Sequence, residues 1–247
     1  NGKRLPEKGG GVFKMNVFYF GGKCSRDFGI YISGSGTFNA PERDVEPIEI
    51  PGRNGALIVS NNRFRNIIIP YPAFIRSGFY GNSMGAKAWL LGKAGYQRLE
   101  DSYHPNYYRM AMFYGPIDFE MKCLNQAGEM TLNFDCKPQR WLKSGESKLS
   151  YFSNSTLCND WFPAKPLINV YGNGAGNLYV GNYAIEIMEL DGYVTLDSDT
   201  QNAYKDTLNK NNTISAPEFP ILEPGKNTIY WDGGITHIDI TPRWWTI

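Results

Sequence analysis

The sequence predicts a mainly β chain in two regions: an N-terminal β-sandwich with one helix and a protruding hairpin arm, then a second sandwich of jelly-roll type. Three observations carry this. Apolar runs of strand length, about four to eight residues, recur between clusters of Gly, Pro, Asn and Asp. Aromatic residues make up 15% of the chain, and glycine and proline number 27 and 15; that mixture suits half-buried pleated surfaces joined by turns. Helical spacing is met in a single stretch.

From Met15 onward the runs VFYF, FGIYISG, VEPIEIPG, ALIVSNN and NIIIPYPAFI each read as a strand. Between the third and fourth lies Asn54-Gly55, the dipeptide that best tolerates the two positive φ angles of a type I′ turn, so a long hairpin arm is expected there. The helix is expected from about Ser83 to Glu100. Asn82 or Ser83 serves as its N-cap, and Ala86, Trp89, Leu90 and Lys93 follow at helical spacing. Gly85, Gly92 and Gly95 each weaken it by about 1 kcal/mol relative to alanine, so tertiary contacts must hold it. Strands then resume, with FEMKCL and MTLNFDC forming a hairpin around a polar turn. The stretch LKSGESKLSYFSNSTLCND loses the alternation and reads as linker and loop. Beyond it LINVYG, NLYVGN, YAIEIMEL, GYVTLDSD and NTIYWDGG alternate again, with tight turns expected at GNGAGN and LDG.

Charge limits the partners. Lys and Arg number 25 against 24 acidic residues, a formal charge of +1, and no basic run exceeds two residues. Affinity for a polyanion rests on clustered cations, so nucleic acid is not expected as a partner. No apolar run approaches the roughly 18 residues of a spanning helix, so no membrane partner is expected either. Cys24, Cys123, Cys136 and Cys158 show no paired spacing and read as reduced thiols of a chain made in the cytosol. Residues 1–14 are polar, Gly-rich and without period. They read as added sequence or a translated upstream leader, with the natural product beginning at Met15.

A search for chemistry returns little. His104 and His237 stand apart from other ligand residues, so neither suggests zinc. The glycine run at 172–177 precedes a strand, whereas a phosphate-binding loop must open a helix. Asp197-Ser198-Asp199 presents alternate acidic oxygens that a calcium ion can share, but no EF-hand loop surrounds them. No catalytic residue, metal or cofactor is assigned, and the chain is expected not to be an enzyme. Aromatic residues of the second region, Tyr179, Tyr183 and Trp231 among them, are candidates for stacking on sugar rings; packing in the core is the competing role.

The ordered motifs converge on one family. FYFGGKCSRDFGIYISG, IPGRNGAL, LEDSYHPNYYRMA, FDCKPQRWLKSGE, LDSDTQNAY, FPILEPGKNTIYW and the terminal ITPRWWTI together resemble the distal tail protein (Dit) family of siphovirus-type phages and prophages. The likeness spans Met15 to Ile247. It implies a baseplate protein of the virion tail tip, six copies of which form a ring joining the tail tube protein to the tail-tip hub or tail-associated lysin protein. It implies that 15–145 with 236–247 make the ring-forming domain, that 146–162 is a linker, and that 163–235 is a galectin-like domain. On that implication Arg53, Asn54 and Gly55 of the arm and Trp89, Leu90 and Lys93 of the helix are expected at ring contacts. Trp244 and Trp245 dock the closing strand, one entering a core and the other facing a neighbour. The alternative is a carbohydrate-binding module that engages host cell-wall saccharide.

Overall fold

The computed structural model describes residues 15–36, 38–124 and 126–247; the reading of residues 1–14 as a leader lies outside them. The chain is mainly β, as its alternating pattern predicts, and divides into two compact units. One comprises the described residues up to Asn39 with Asn66–Pro105 and Met110–Cys136; the other comprises Ala40–Arg65, Asn106–Arg109 and Lys137–Ile247.

The first unit is built on one sheet. Its neighbours run Lys23–Cys24, Phe18–Phe20, Gln97–Asp101, the strand Tyr107–Met112, Ala127–Cys136, Ile67–Ile75 and Ile30–Ile32. Alternation along Ala127–Cys136 sends Met130, Leu132, Phe134 and Cys136 to the buried face, where the opposing residues Ala73, Tyr71 and Ile69 join them. The expected hairpin is present, Glu120–Lys122 pairing with Ala127–Glu129.

The helix closes this core, but earlier in the chain than its spacing suggests. It spans Phe79–Leu91, and Gly78 in the left-handed region (φ 63°) stands at its N-cap. Asn82 is therefore inside the helix, where its Nδ2 donates to the Ser77 carbonyl at 2.9 Å. Residues 97–100, expected as helix, belong to the strand Gln97–Asp101 instead; Gly92 and Gly95 separate the two. Trp89 stacks on Phe28 and Phe18 with ring centroids 4.4 and 5.5 Å apart, and its indole donates to the Phe20 carbonyl at 3.1 Å. Trp89 and Leu90 are buried within their own chain, so neither presents the exposed face expected of a ring contact. Their apolar area is committed to their own core.

The arm is present in the second unit as a two-stranded sheet, Arg43–Ile48 with Leu57–Phe64. Its tip is not a two-residue turn. Pairing ends at Ile48 and Leu57, leaving a loop of 49–56 in which Gly52 and Gly55, but not Asn54, have positive φ. A type I′ turn needs positive φ at both central residues, so two separated glycines make a wider loop here. At the arm's base the buried Asp44 accepts from Arg63 Nε at 2.7 Å and from Arg65 Nε and Nη2 at 3.1 and 3.0 Å.

A nine-stranded sheet of the second unit folds over a single core. Leu149–Tyr151, Ile235–Thr241, Leu167–Val180, Tyr183–Asp197, Asn202–Lys205 and Leu208–Asn209 are successive neighbours; Gly225–Trp231 also pairs with Leu167–Val180 and with Ser155–Asn159. The hairpin 167–197 turns at Gly181-Asn182. Neither GNGAGN nor LDG is a turn, because both lie inside its two strands, where the register shifts between Gly174 and Gly176. The glycines serve close approach. A Cβ on Gly172 would meet the Gly234 carbonyl oxygen at 2.0 Å, and one on Gly234 would meet that of Asn173 at 1.8 Å.

Segment 146–162, expected as linker, contributes the strands Leu149–Tyr151 and Ser155–Asn159. Each has one partner strand, and an edge strand needs little apolar alternation. The closing residues 236–247, which the resemblance placed with the first unit, cluster with the second: Ile238 and Ile240 are buried in its core, and Ile235–Thr241 pairs with Leu167–Gly172. Trp245–Thr246 pairs with Arg140–Leu142, an offshoot of the sheet that contains Tyr107–Met112.

Candidate functional site

The most constrained part of the second unit is where its closing segment is held. After Thr241 the chain turns, and Arg243 adopts a positive φ of 58°, a conformation that costs a non-glycine residue free energy unless its surroundings enforce it. The enforcing contacts are specific. The Arg243 amide donates to the Gly145 carbonyl at 2.8 Å, and the Leu142 amide donates to the Trp244 carbonyl at 2.9 Å. A Cβ on Gly145 would lie 2.3 Å from the Trp244 nitrogen, so only glycine admits the segment. Trp244 then enters the core, while Trp245 and Thr246 pair with Trp141 and Arg140.

The Arg243 guanidinium reaches Asp197, with Nη1 donating at 2.6 Å and Nη2 at 3.3 Å. Asp197 also accepts from the Asp199 amide at 3.0 Å. Burial alone would raise the Asp197 pKa; the hydrogen bonds and charge of Arg243, with those amides, outweigh it and hold the carboxyl below its ordinary value. Asp199 instead has Lys165 Nζ at 3.6 Å. The acidic pair is therefore spent on cations of the chain itself, and no group of three or more candidate metal ligands occurs among the described residues.

Other residues of the motifs meet at the same place. Tyr108 pairs with Trp141 and stacks on it at 5.7 Å. The guanidinium of Arg140 lies 4.1 Å above the Tyr107 ring, and Arg109 donates to the Pro138 carbonyl at 3.2 Å. Trp245 stacks on Phe162 at 4.7 Å and donates to the Pro163 carbonyl at 2.9 Å; Phe162 in turn meets Phe64, at the base of the arm, edge-on at 6.1 Å. Beside this junction opens a cleft of about 540 Å³, whose lining includes Tyr108, Trp141, Trp245, Lys165, Asp199 and Arg243. A further motif is explained elsewhere in the same unit. Asn227 is buried and closes the turn before its own strand, accepting from the Glu223 amide at 2.9 Å and donating to the Glu223 carbonyl at 2.8 Å.

The remaining sequence candidates are scattered. Arg53, Asn54 and Gly55 lie at the exposed tip of the arm, and Lys93 is exposed just beyond the helix. Tyr179 lies on the opposite face of the sheet from Tyr183 and Trp231. Tyr179 stands opposite Tyr230, the two rings stacked at 4.4 Å. Trp231 stands opposite the buried Leu178, on the core face of the sheet, and packs against that core. Tyr183 lies opposite the buried Val180, at the rim of that same core face. His237, by contrast, is sandwiched between Tyr171 at 4.3 Å and Phe152 at 5.1 Å. This aromatic row runs across strands, so no spacing along the sequence announces it.

Burial opposes ionisation of Asp239 beside that row, but hydrogen bonds from Ser150 at 2.6 Å, Lys148 and Tyr171 prevail and hold its pKa below the ordinary value. Among the described residues no helix is long and apolar enough to cross a membrane.

No family model matches the chain, and no curated protein matches it. Solved structures do. The crystal structure of Dit from phage SPP1, described as a paradigm of the hub adsorption apparatus in phages infecting Gram-positive hosts, matches with a TM-score of 0.73 at 10% identity, over 92% of this chain and 98% of that one. A chain of the phage P2 baseplate in its activated conformation with calcium matches at 9% identity over the same shares, with a TM-score of 0.48. The chain thus has a Dit-like fold.

Proposed function

We propose that this chain is a structural protein of a phage or prophage tail tip: a distal tail protein whose copies close into a ring, six to a ring, between the tail tube protein and the tail-tip hub. The observation that carries this reading is the match to SPP1 Dit across nearly the whole of both chains. Fold alone does not license function. Support from the residues comes from the junction of the closing segment, where four of the motifs on which the resemblance rests, LEDSYHPNYYRMA, FDCKPQRWLKSGE, LDSDTQNAY and ITPRWWTI, meet. A ring of identical copies needs two different surfaces per copy, joined head to tail. The arm offers one, with Ile48, Leu57, Ile58 and Val59 all exposed. No catalytic role is assigned. Mixing the purified chain with tail tube and hub proteins of the same phage should yield a complex containing all three. Failure to bind either would overturn the reading.

A second reading, saccharide binding, is favoured by the cleft beside Trp141 and Trp245, which sets aromatic rings next to charged hydrogen-bonding groups. Calorimetry against host cell-wall polysaccharide tests it. Heat of binding that is lost in Trp141→Ala would support it, and no binding would end it.

A further inference from the structure

In the first unit a small cavity of about 180 Å³ opens beside the C-terminal end of the helix, its lining including Phe20, Lys23, Ala88, Trp89 and Lys93. Its floor is the edge of the aromatic core, because Phe20 and Trp89 are buried. Its rim is cationic: Lys23 and Lys93 are exposed, the helix contains no acidic residue, and no ion pair engages either lysine among the described residues. Such a site suits an apolar side chain flanked by carboxylates.

The arm has that composition. Residues directly opposite one another on paired strands share a face, as do residues two apart. Glu46 and Ile48 therefore share one face with their partners Val59 and Leu57. All four are exposed, and Glu49 follows at the start of the loop. No ion pair engages Glu46 or Glu49 among the described residues, whereas the acidic residue at the arm's base, Asp44, is held by Arg63 and Arg65. The face is thus apolar and two-stranded, with Glu46 on it and Glu49 just beyond its last pair.

We infer that the cavity rimmed by Lys23 and Lys93 is the receptor for the arm of a second copy, with an aliphatic side chain of the Ile48–Leu57 pair seated on the Phe20–Trp89 floor and Glu46 and Glu49 meeting the lysines. This deepens the ring reading and rests on it: arm and receptor are unlike surfaces of one chain, which is what head-to-tail closure requires. Of the helix residues expected at ring contacts, Trp89 forms the floor of the site and Lys93 its rim, while Leu90 is not in the lining.

Charge exchange tests the inference on the full chain. Glu46→Lys with Glu49→Lys, and Lys23→Glu with Lys93→Glu, alter exposed side chains, so both variants should melt within a few degrees of the parent. Each variant alone should self-associate at least tenfold more weakly in analytical ultracentrifugation, since like charges then meet. An equimolar mixture of the two should recover association, because each arm finds an opposite rim. Ala88→Trp, which fills the cavity without changing charge, should also weaken association. If the parent chain assembles but neither exchange nor filling alters it, the arm's receptor lies elsewhere and the ring reading stands. If the parent chain never self-associates at any attainable concentration, both fall.

Discussion

Arg243 and Asp197, forty-six residues apart in the chain, are joined by a two-pronged ion pair with donor–acceptor distances of 2.6 and 3.3 Å. The pair ties the closing segment to the end of the long hairpin of the second unit. It also accounts for two motifs at once, since the arginine of ITPRWWTI has the aspartate of LDSDTQNAY as its partner.

Replacing Arg243 by alanine leaves the mostly buried Asp197 carboxylate without its cation. Charged hydrogen bonds of this kind contribute about 1.5–3 kcal/mol, and removing one partner of a buried pair costs more than the pair is worth. The expected outcome is a loss of about 2–3 kcal/mol in denaturant unfolding. Arg243→Lys should recover only part of it, because an ammonium cannot reproduce the two-pronged geometry.

The same pair sets a pH dependence. Asp197 and Asp239 both have pKa values below the ordinary carboxylate value in the folded chain. A depressed pKa means that the unfolded chain binds protons more readily, so the contribution to stability is full above the ordinary carboxylate range and is lost as pH falls through the folded value. Unfolding free energy should therefore decline on acidification below about pH 5. Asp197→Asn should be less stable than the parent at neutral pH, and the difference should shrink as pH falls. A difference that stays constant to pH 3 would show that the charge of Asp197 is not what matters.

Gly145→Ala tests the close approach of the closing segment. The added Cβ would stand 2.3 Å from a backbone nitrogen, which cannot give way as a flexible side chain can. Overpacking of this kind costs about 1–3 kcal/mol. The change should unfold at lower denaturant concentration and speed proteolysis after Thr241.

Trp244→Ala should cost about 3–5 kcal/mol, the range for truncating a buried large aromatic side chain. Truncation after Thr241 removes Arg243 as well and should destabilise the second unit. Hydrogen exchange read strand by strand would show the loss in Ile235–Thr241 and Leu167–Val180, with Ile67–Ile75 and Ala127–Cys136 unaffected. Loss of protection in the first unit instead would restore the assignment of 236–247 to that unit.

Much of the fold was legible, for identifiable reasons. Alternation in MTLNFDC and NIIIPYPAFI reports burial on one face of a strand, and burial is the strongest force acting on a sheet residue. Positions that depend on a distant partner were not legible. The glycine run at 172–177 looks like a turn in one dimension; only the chain at 232–235 lying against it shows why glycine is needed. Residues 146–162 look like linker because edge strands can be polar. Asp197 reads as one acid of a polar turn, and its partner Arg243 lies too far along the chain for spacing to announce the pair. Trp89 shows the same limit: its position on a helix does not reveal the indole hydrogen bond and the two stacking partners that bury it in the core.

Electron microscopy of the purified full chain, at concentrations that favour assembly, tests the central claim most directly. The account predicts closed rings of six copies, joined head to tail and lost when the arm loop 49–56 is deleted. Single copies at every concentration, or rings that persist unchanged without the arm, would contradict it.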